Sequence, residues 1–321
     1  LKDNNIRKDS TSGGLFSAFA NYLISKGGII YGAAYNAQDK RVEHISAQSF
    51  EELSRIRGSK YVQSYLGDTF FKIKEALKKD QKVLFTGTPC QCAGLKSYLK
   101  KDFENLYIID ILCHSVPSPQ ILNEIINRTE KESKQHITEV RFRNKERGWR
   151  NSYHFQLFTG RTSITNTTYL TLFFKGLINR PSCYNCRFTN LNRPSDITIG
   201  DYWNIKKVDP SFEDNLGVSC VLINSKKGEY LFQKIKSTIS CFPTNIPPAI
   251  QTCMERSVSI PMNRKRFWYE YENIGFDYVE YKYGHKTRTD ILVSDVLAPI
   301  IRKLGISNII RKFKTVINHS K

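Results

Sequence analysis

Four cysteines stand where sulfur chemistry would need them. Cys183-Tyr184-Asn185-Cys186 places two thiols on one tight turn, the spacing that chelates zinc or one edge of an iron–sulfur cluster. Cys90 lies in Gly87-Thr88-Pro89-Cys90 at the start of a predicted helix, where free N–H groups and the helix dipole favour a thiolate or an anionic cluster. Cys113, in Cys113-His114-Ser115, directly follows a predicted strand. One CxxC pair and two further cysteines make four soft ligands. That set suits tetrahedral zinc as well as an iron–sulfur cluster, and the spacing leaves both open. Cys92 is two residues from Cys90 and points to the opposite face of the same helix, so it is set apart. Cys220, Cys241 and Cys253 read as packing residues.

The elements that must position these thiols follow from periodicity. A helix over residues 69–79 leads into Val83-Leu84-Phe85, a short buried strand. Pro89 suits the first turn of a helix over 91–100, and residues 106–112 form a second buried strand. This is a βαβ unit. Its two strands run parallel, so the loops carrying Cys90 and Cys113 open on one edge of the sheet, where α/β proteins bind ligands. Upstream, the first 60 residues read as a loop, an apolar helix after Gly13-Gly14, and strands over 29–35 and 42–47 joined across Gln38-Asp39. Downstream, Ser118-Pro119 signals an N-cap followed by Pro at the first helical position. A β meander over 137–168, a helix over 169–178, the cysteine turn, and strands near 196–202 and 218–224 complete the pattern. The predicted class is α/β: a mixed sheet with a βαβ core, an antiparallel meander and a basic helical C-terminal tail.

With 321 residues, 40% of them hydrophobic and 12% aromatic, the chain has the composition of a folded protein. Its apolar runs fall short of the roughly 20 residues that span a bilayer, and no secretory signal is visible. The protein is therefore expected to be cytoplasmic. The polar start, without Met, points to an incomplete N-terminus. A net charge of +19 favours anionic partners. Nucleic acid ranks low among them: residues 141–150 are basic, but no recognition helix or RNP-like motif accompanies them.

Six motifs occur in a distinctive order: Arg7-x-x-Ser10-Thr11-Ser12-Gly13-Gly14-x-Phe16, Arg57-Gly58-Ser59-Lys60-Tyr61, Gly87-Thr88-Pro89-Cys90-Gln91, Cys113-His114, Arg180-Pro181-Ser182-Cys183-x-x-Cys186 and Asp196-Ile197-Thr198-Ile199-Gly200-Asp201-Tyr202-Trp203. Together, over about residues 7–240, they resemble the beta-subunit family of coenzyme F420-reducing hydrogenases and dehydrogenases. The likeness is strongest to bacterial members encoded with surface-polysaccharide enzymes. The resemblance implies a flavoprotein with FAD and a 4Fe-4S cluster, the cluster on Cys90, Cys113, Cys183 and Cys186. It also implies that Ser10, Thr11, Ser12, Gly13 and Gly14 present backbone N–H groups to the FAD pyrophosphate. Ser59, Lys60, Gly87 and Thr88 would lie beside the cofactor. Lys60, His114 and Asp201 would be the catalytic set: Lys60 neutralising flavin or phosphate, His114 relaying a proton, Asp201 touching flavin or substrate.

Many such relatives carry an N-terminal ferredoxin-like segment with CxxCxxCxxxCP spacing. Nothing of the kind stands before Leu1 in this sequence: either that segment was lost, or electrons come from a separate ferredoxin or another electron-transfer protein. The implied substrate is a small molecule or a lipid-linked glycan intermediate, and the alternative is a zinc-stabilised, non-redox binding or transferase protein of polysaccharide assembly. The core is expected over residues 1–285 and a basic tail over 286–321. Within the tail, Ile301, Leu304, Ile306, Ile309, Ile310, Phe313 and Ile317 recur near helical spacing among exclusively positive charges. That pattern fits peripheral contact with an anionic membrane, or a helix packed on the core with a solvated face.

Overall fold

The computed structural model describes residues 1–285, so the expected tail lies outside the described residues. The chain divides into two compact units, Leu1–Arg264 and Lys265–Lys321. In chain order the first unit runs α1 (Asn4–Asp9), α2 (Leu15–Ile24), β1 (Ile29–Asn36), β2 (Arg41–Ala47), α3 (Phe50–Ile56), α4 (Thr69–Lys78), β3 (Val83–Gly87), α5 (Pro89–Leu99) and β4 (Leu106–Ile111). It continues with α6 (Pro119–Ser133), β5 (Glu139–Arg141), β6 (Phe155–Thr159), β7 (Thr162–Asn166), α7 (Thr168–Phe174), β8 (Ile197–Asp201), α8 (Ile205–Val208), β9 (Ser219–Ile223), α9 (Lys226–Ile235) and α10 (Ile246–Ala249). The described part of the second unit is α11 (Arg264–Asn273), whose first residue still belongs to unit one, and α12 (Phe276–Tyr283). These two helices are tied by Glu270, which accepts from Lys282 Nζ at 2.6 Å and Tyr283 OH at 2.8 Å.

Six strands form one sheet in the order β2-β1-β3-β4-β8-β9. The inner four, β1, β3, β4 and β8, are parallel, and the edges β2 and β9 are antiparallel. Alternate side chains bury both faces. Leu84, Tyr107, Ile109 and Ile197 meet α2, α3 and α9 through Phe19, Leu23, Leu53, Ile56, Leu231 and Ile235. Val83, Phe85, Leu106 and Ile108 meet α4 and α5 through Ile73, Leu77, Cys92 and Leu95. Burial on both sides is why β3 and β4 are continuous apolar runs in the sequence. The meander forms a separate antiparallel sheet, β5-β6-β7.

The mixed α/β class and the βαβ core are as the sequence predicts. Pro89 opens α5, with Thr88 and Gln91 completing a capping box, and Ser118 caps α6 ahead of Pro119. Cys92 is fully buried in the core, its thiol aimed at the Ile109 carbonyl. Cys220 and Cys253 are buried as expected, whereas Cys241 is exposed and packs nothing. The helix expected over 169–178 stops at Phe174, because Gly176 turns the chain with φ +73° and Pro261 lies within 3.1 Å of where its Cβ would stand. Helices α1 and α3 replace chain that sequence periodicity leaves as loop. The basic stretch 141–150 is turned to internal use: Arg143 pairs with Asp201, Arg150 with Glu213, and Lys145 serves three carbonyls.

Candidate cofactor-binding edge

Parallel strands β3, β4 and β8 end on one edge, and the chemistry-bearing residues leave from there. After β3, Thr88 ends 3.1 Å from the Cys90 thiol, and Cys90 occupies the first turn of α5. After β4 comes Cys113, then His114, whose imidazole is held below its usual pKa by burial. Next is Ser115 with φ +151°, a backbone conformation rare outside glycine.

The next residues pair with the approach to the CxxC turn. Ser118 N–H donates to the Ile178 carbonyl at 2.8 Å, and Arg180 N–H to the Val116 carbonyl at 2.9 Å. This stitch carries Pro181–Asn185, a single 3-10 turn, to the strand edge. Cys183 is buried on it, and half-buried Cys186 follows. Tyr184 holds the turn from below, donating to the Gly176 carbonyl and accepting from Arg264 Nε at 2.8 Å. Arg180 Nη2 lies 3.5 Å from the Cys90 sulfur, and Cys90 and Cys183 both lie within electrostatic reach of Cys113. Burial, then the neighbouring Cys183 and Cys90, push the Cys113 thiol up. Burial also raises Cys183, against the Val116 backbone and Arg180, which hold it down. Among the described residues, no three His, Cys, Asp or Glu side chains form a set that could hold a metal ion. The three coupled thiols are nevertheless a sulfur-only donor set with a cation among them, and that chemistry fits an anionic iron–sulfur cluster.

The loop from Cys186 to Arg193 is clamped from inside. Arg193, 1% exposed at its side chain, pairs with the fully buried Asp110 of β4 at 3.0 Å and donates to the Phe188 carbonyl at 2.9 Å. Burial pushes the Asp110 carboxyl up, and Arg193 opposes that shift. Replacing Asp110 by Ala leaves a buried guanidinium unpaired, which costs about 3–5 kcal/mol. The expected result is a thermal midpoint lowered by several degrees together with loss of bound iron. An unchanged midpoint in calorimetry would show that the pair does not hold the loop.

The phosphate loop is built differently from the sequence expectation. Its hydroxyls are occupied by the chain itself: Ser10 donates to the Ile6 carbonyl, Ser12 to the Val218 carbonyl, and Thr11 accepts from the Ser59 N–H at 2.7 Å. The Gly13 N–H donates to Ser219 Oγ at 2.9 Å, which docks the loop on β9. Lys145, which sequence reasoning passed over, donates to the Arg7, Ser12 and Leu216 carbonyls, and burial lowers its pKa to about 7. At the start of α2, Gly14 (φ +88°) is the N-cap and no side chain caps the first N–H groups, while Gly14 is buried with the Leu1 side chain against it. Those donors and the helix dipole fit a pyrophosphate. Lys60 points to the Arg55, Ile56 and Arg57 carbonyls, closing the C-terminus of α3, and burial lowers its pKa to about 7. Its charge therefore serves a helix end. Gly87 lies against Gln91, whose Oε1 would sit 3.0 Å from an added Cβ.

Asp201 ends β8 opposite Ser219, on the same edge as the loop. Arg143 Nη1 reaches its carboxylate at 2.6 Å and Trp149 Nε1 at 2.7 Å, while Gln251 bonds its carbonyl. Arg143 is stacked with Tyr153 and Trp203, at 4.6 and 5.3 Å from the ring centres, and Trp149 stacks on Trp203 at 4.7 Å. The structure thus places Cys90, Cys113 and Cys183 within electrostatic reach of one another. It brings Thr11 to Ser59 and Gly13 to Ser219. Lys60 is directed away to α3. Arg143, Trp149 and Gln251 carried no local sequence signal, since their partner Asp201 is 50 or more residues away.

Cysteines thus follow two neighbouring parallel strands of an α/β sheet, and the loop into the uncapped N-terminus of α2 docks on the first residue of β9. Family comparison is specific. The family model "Coenzyme F420 hydrogenase/dehydrogenase, beta subunit N-term" matches residues 1–68, and the family model for the C terminus of the same beta subunit matches residues 80–243. The chain belongs to the coenzyme F420 hydrogenase/dehydrogenase beta-subunit family. Among solved structures it is similar to a chain of the F420-reducing [NiFe] hydrogenase complex from Methanosarcina barkeri, studied by xenon derivatization. The two are 19% identical over 74% of this chain and 76% of that chain, with a TM-score of 0.49. No curated protein matches the chain.

Proposed function

We propose that the protein is a flavin- and iron–sulfur-dependent oxidoreductase. FAD would sit at the start of α2, and a 4Fe-4S cluster would be held by Cys90, Cys113, Cys183 and Cys186. The observation that carries this reading is Arg180 beside the Cys90 sulfur, with Cys113 and Cys183 within electrostatic reach, on the strand edge that also receives the loop from Ser10 to Gly14. When bound, the cluster supplies single electrons and the flavin converts them to a two-electron or hydride transfer. The chain's own residues bind and orient. The first N–H groups of α2 would meet the pyrophosphate, and Arg143 and Trp149 hold the Asp201 carboxylate in place. His114, just after β4, is placed to move a proton at the edge.

The substrate in this reading is a sugar or lipid-linked glycan intermediate of surface-polysaccharide biosynthesis, and the electron donor is a ferredoxin or similar protein. Membership of a family named for a subunit supports an electron-transfer partner. The proposed location is the cytoplasm. Among the described residues no helix is long and apolar enough to cross a membrane. FAD added to the anaerobic protein is expected to be retained at about one per chain after desalting, with its fluorescence quenched. Complete loss of FAD on desalting would contradict the flavin half of the proposal.

A further inference from the structure

Among the described residues Arg180 is the cation placed against the thiols, and no sequence signal gives it a role. Its Nη2 lies 3.5 Å from the Cys90 sulfur, and the guanidinium is within electrostatic reach of the Cys183 thiol. Its backbone N–H is spent on Val116, which fixes the residue where the two chain segments are stitched. Its Nε is buried and has no hydrogen-bond partner, a costly state for a guanidinium N–H unless a further acceptor lies beside it. Other arginines of the chain meet carboxylates: Arg193 with Asp110, Arg143 with Asp201, Arg150 with Glu213. Arg180 instead meets sulfur.

Resting on the iron–sulfur reading above, we propose that Arg180 is a positioning residue that raises the reduction potential of the cluster. It would do so by placing an N–H···S donor against Cys90 and a permanent positive charge near both Cys90 and Cys183. Reduction adds one electron from the donor protein to the cluster and makes the site one charge more negative. Arg180 stays protonated throughout, so no proton is exchanged and the reduced form is selectively stabilised. Hydrogen bonds to cluster sulfurs and local charge are established determinants of cluster potential.

The test is an anaerobic redox titration of the full chain followed by electron paramagnetic resonance, with iron and sulfide analysis of each sample. R180Q, which removes the charge, is expected to keep wild-type iron and sulfide. At a fixed potential near the wild-type midpoint, its ratio of oxidised to reduced cluster is expected to rise about tenfold, a midpoint lower by about 59 mV. R180K keeps the charge but loses the fork of donors, and is expected to shift the ratio the same way by about threefold. A fully loaded R180Q with the wild-type midpoint overturns the proposal. Should R180Q hold no cluster, R180K decides: a lowered midpoint supports the role, and the wild-type value overturns it. Loss of the cluster from both variants assigns Arg180 to assembly and overturns tuning. Absence of iron and sulfide from the wild type overturns the underlying reading as well, so the two failures are distinct.

Discussion

Serine at Cys90 or at Cys183 is expected to strip the protein of iron and acid-labile sulfide, from about four of each per chain to less than about one. A serine hydroxyl cannot replace a thiolate as a soft ligand, and each position supplies a donor that no neighbour can substitute. Cys90 is fixed in the first turn of α5 beside Thr88, and Cys183 is fixed on a 3-10 turn stitched to the segment after Cys113. Two controls separate ligands from bystanders. Cys241 is exposed, and Cys241→Ser should retain the full complement. Cys253 is the sharper control, because it is buried, its thiol is pushed up to about 11 by burial, and it lies near enough to influence Cys113. Cys253→Ser should still retain the cluster. Full iron in Cys90→Ser and Cys183→Ser would remove both residues from the ligand set.

The second large effect is expected at Gly13. A Cβ there would stand 2.8 Å from the Ser219 backbone nitrogen, 2.9 Å from Ser219 Oγ and 3.3 Å from the Gly217 carbonyl oxygen. Two of the three contacts are backbone, so no rotamer change relieves them. Gly13→Val must lift the loop off β9 and lose the hydrogen bond from its N–H to Ser219 Oγ. The cost is at least the 1–3 kcal/mol of an overpacked site, roughly 2–4 °C in the thermal midpoint for each kcal/mol at this size. Since the same loop leads into the α2 N-terminus, FAD affinity should fall more than tenfold. Ser219→Ala removes the acceptor while leaving the space, and should cost only about 1 kcal/mol with FAD still bound. A Gly13→Val protein with wild-type midpoint and FAD affinity would separate the loop from the cofactor.

How much of this was legible in the sequence depends on how local each cause is. Strands β3 and β4 announce themselves because both of their faces are buried, and α5 and α6 because Pro and a capping residue stand at their starts. Cys92 could be set aside from helical geometry alone, and it is core. Helix α3 was readable too, since Ser49 and Glu52 form a capping box, but its seven residues are too few to show periodicity. The site was legible as a set of residues and not as contacts. Gly13 reads as room for a phosphate, yet its space is taken by Ser219, 206 positions away. Lys60 reads as a charge for the cofactor and instead closes the helix just before it. Arg143 reads as one charge in a basic run and is in fact the buried partner of Asp201. For Gly13 and Arg143 the deciding partner is brought in by the fold, and no local pattern encodes it, whereas the partners of Lys60 are its own near neighbours in the chain.

The central claim, that this edge holds a redox cluster beside a flavin, is tested most directly by the composition and visible spectrum of protein purified without oxygen. The account predicts brown protein with about four iron and four sulfide per chain, together with a flavin spectrum. Stoichiometric zinc without sulfide, in colourless protein, would contradict it and make the four cysteines a structural site.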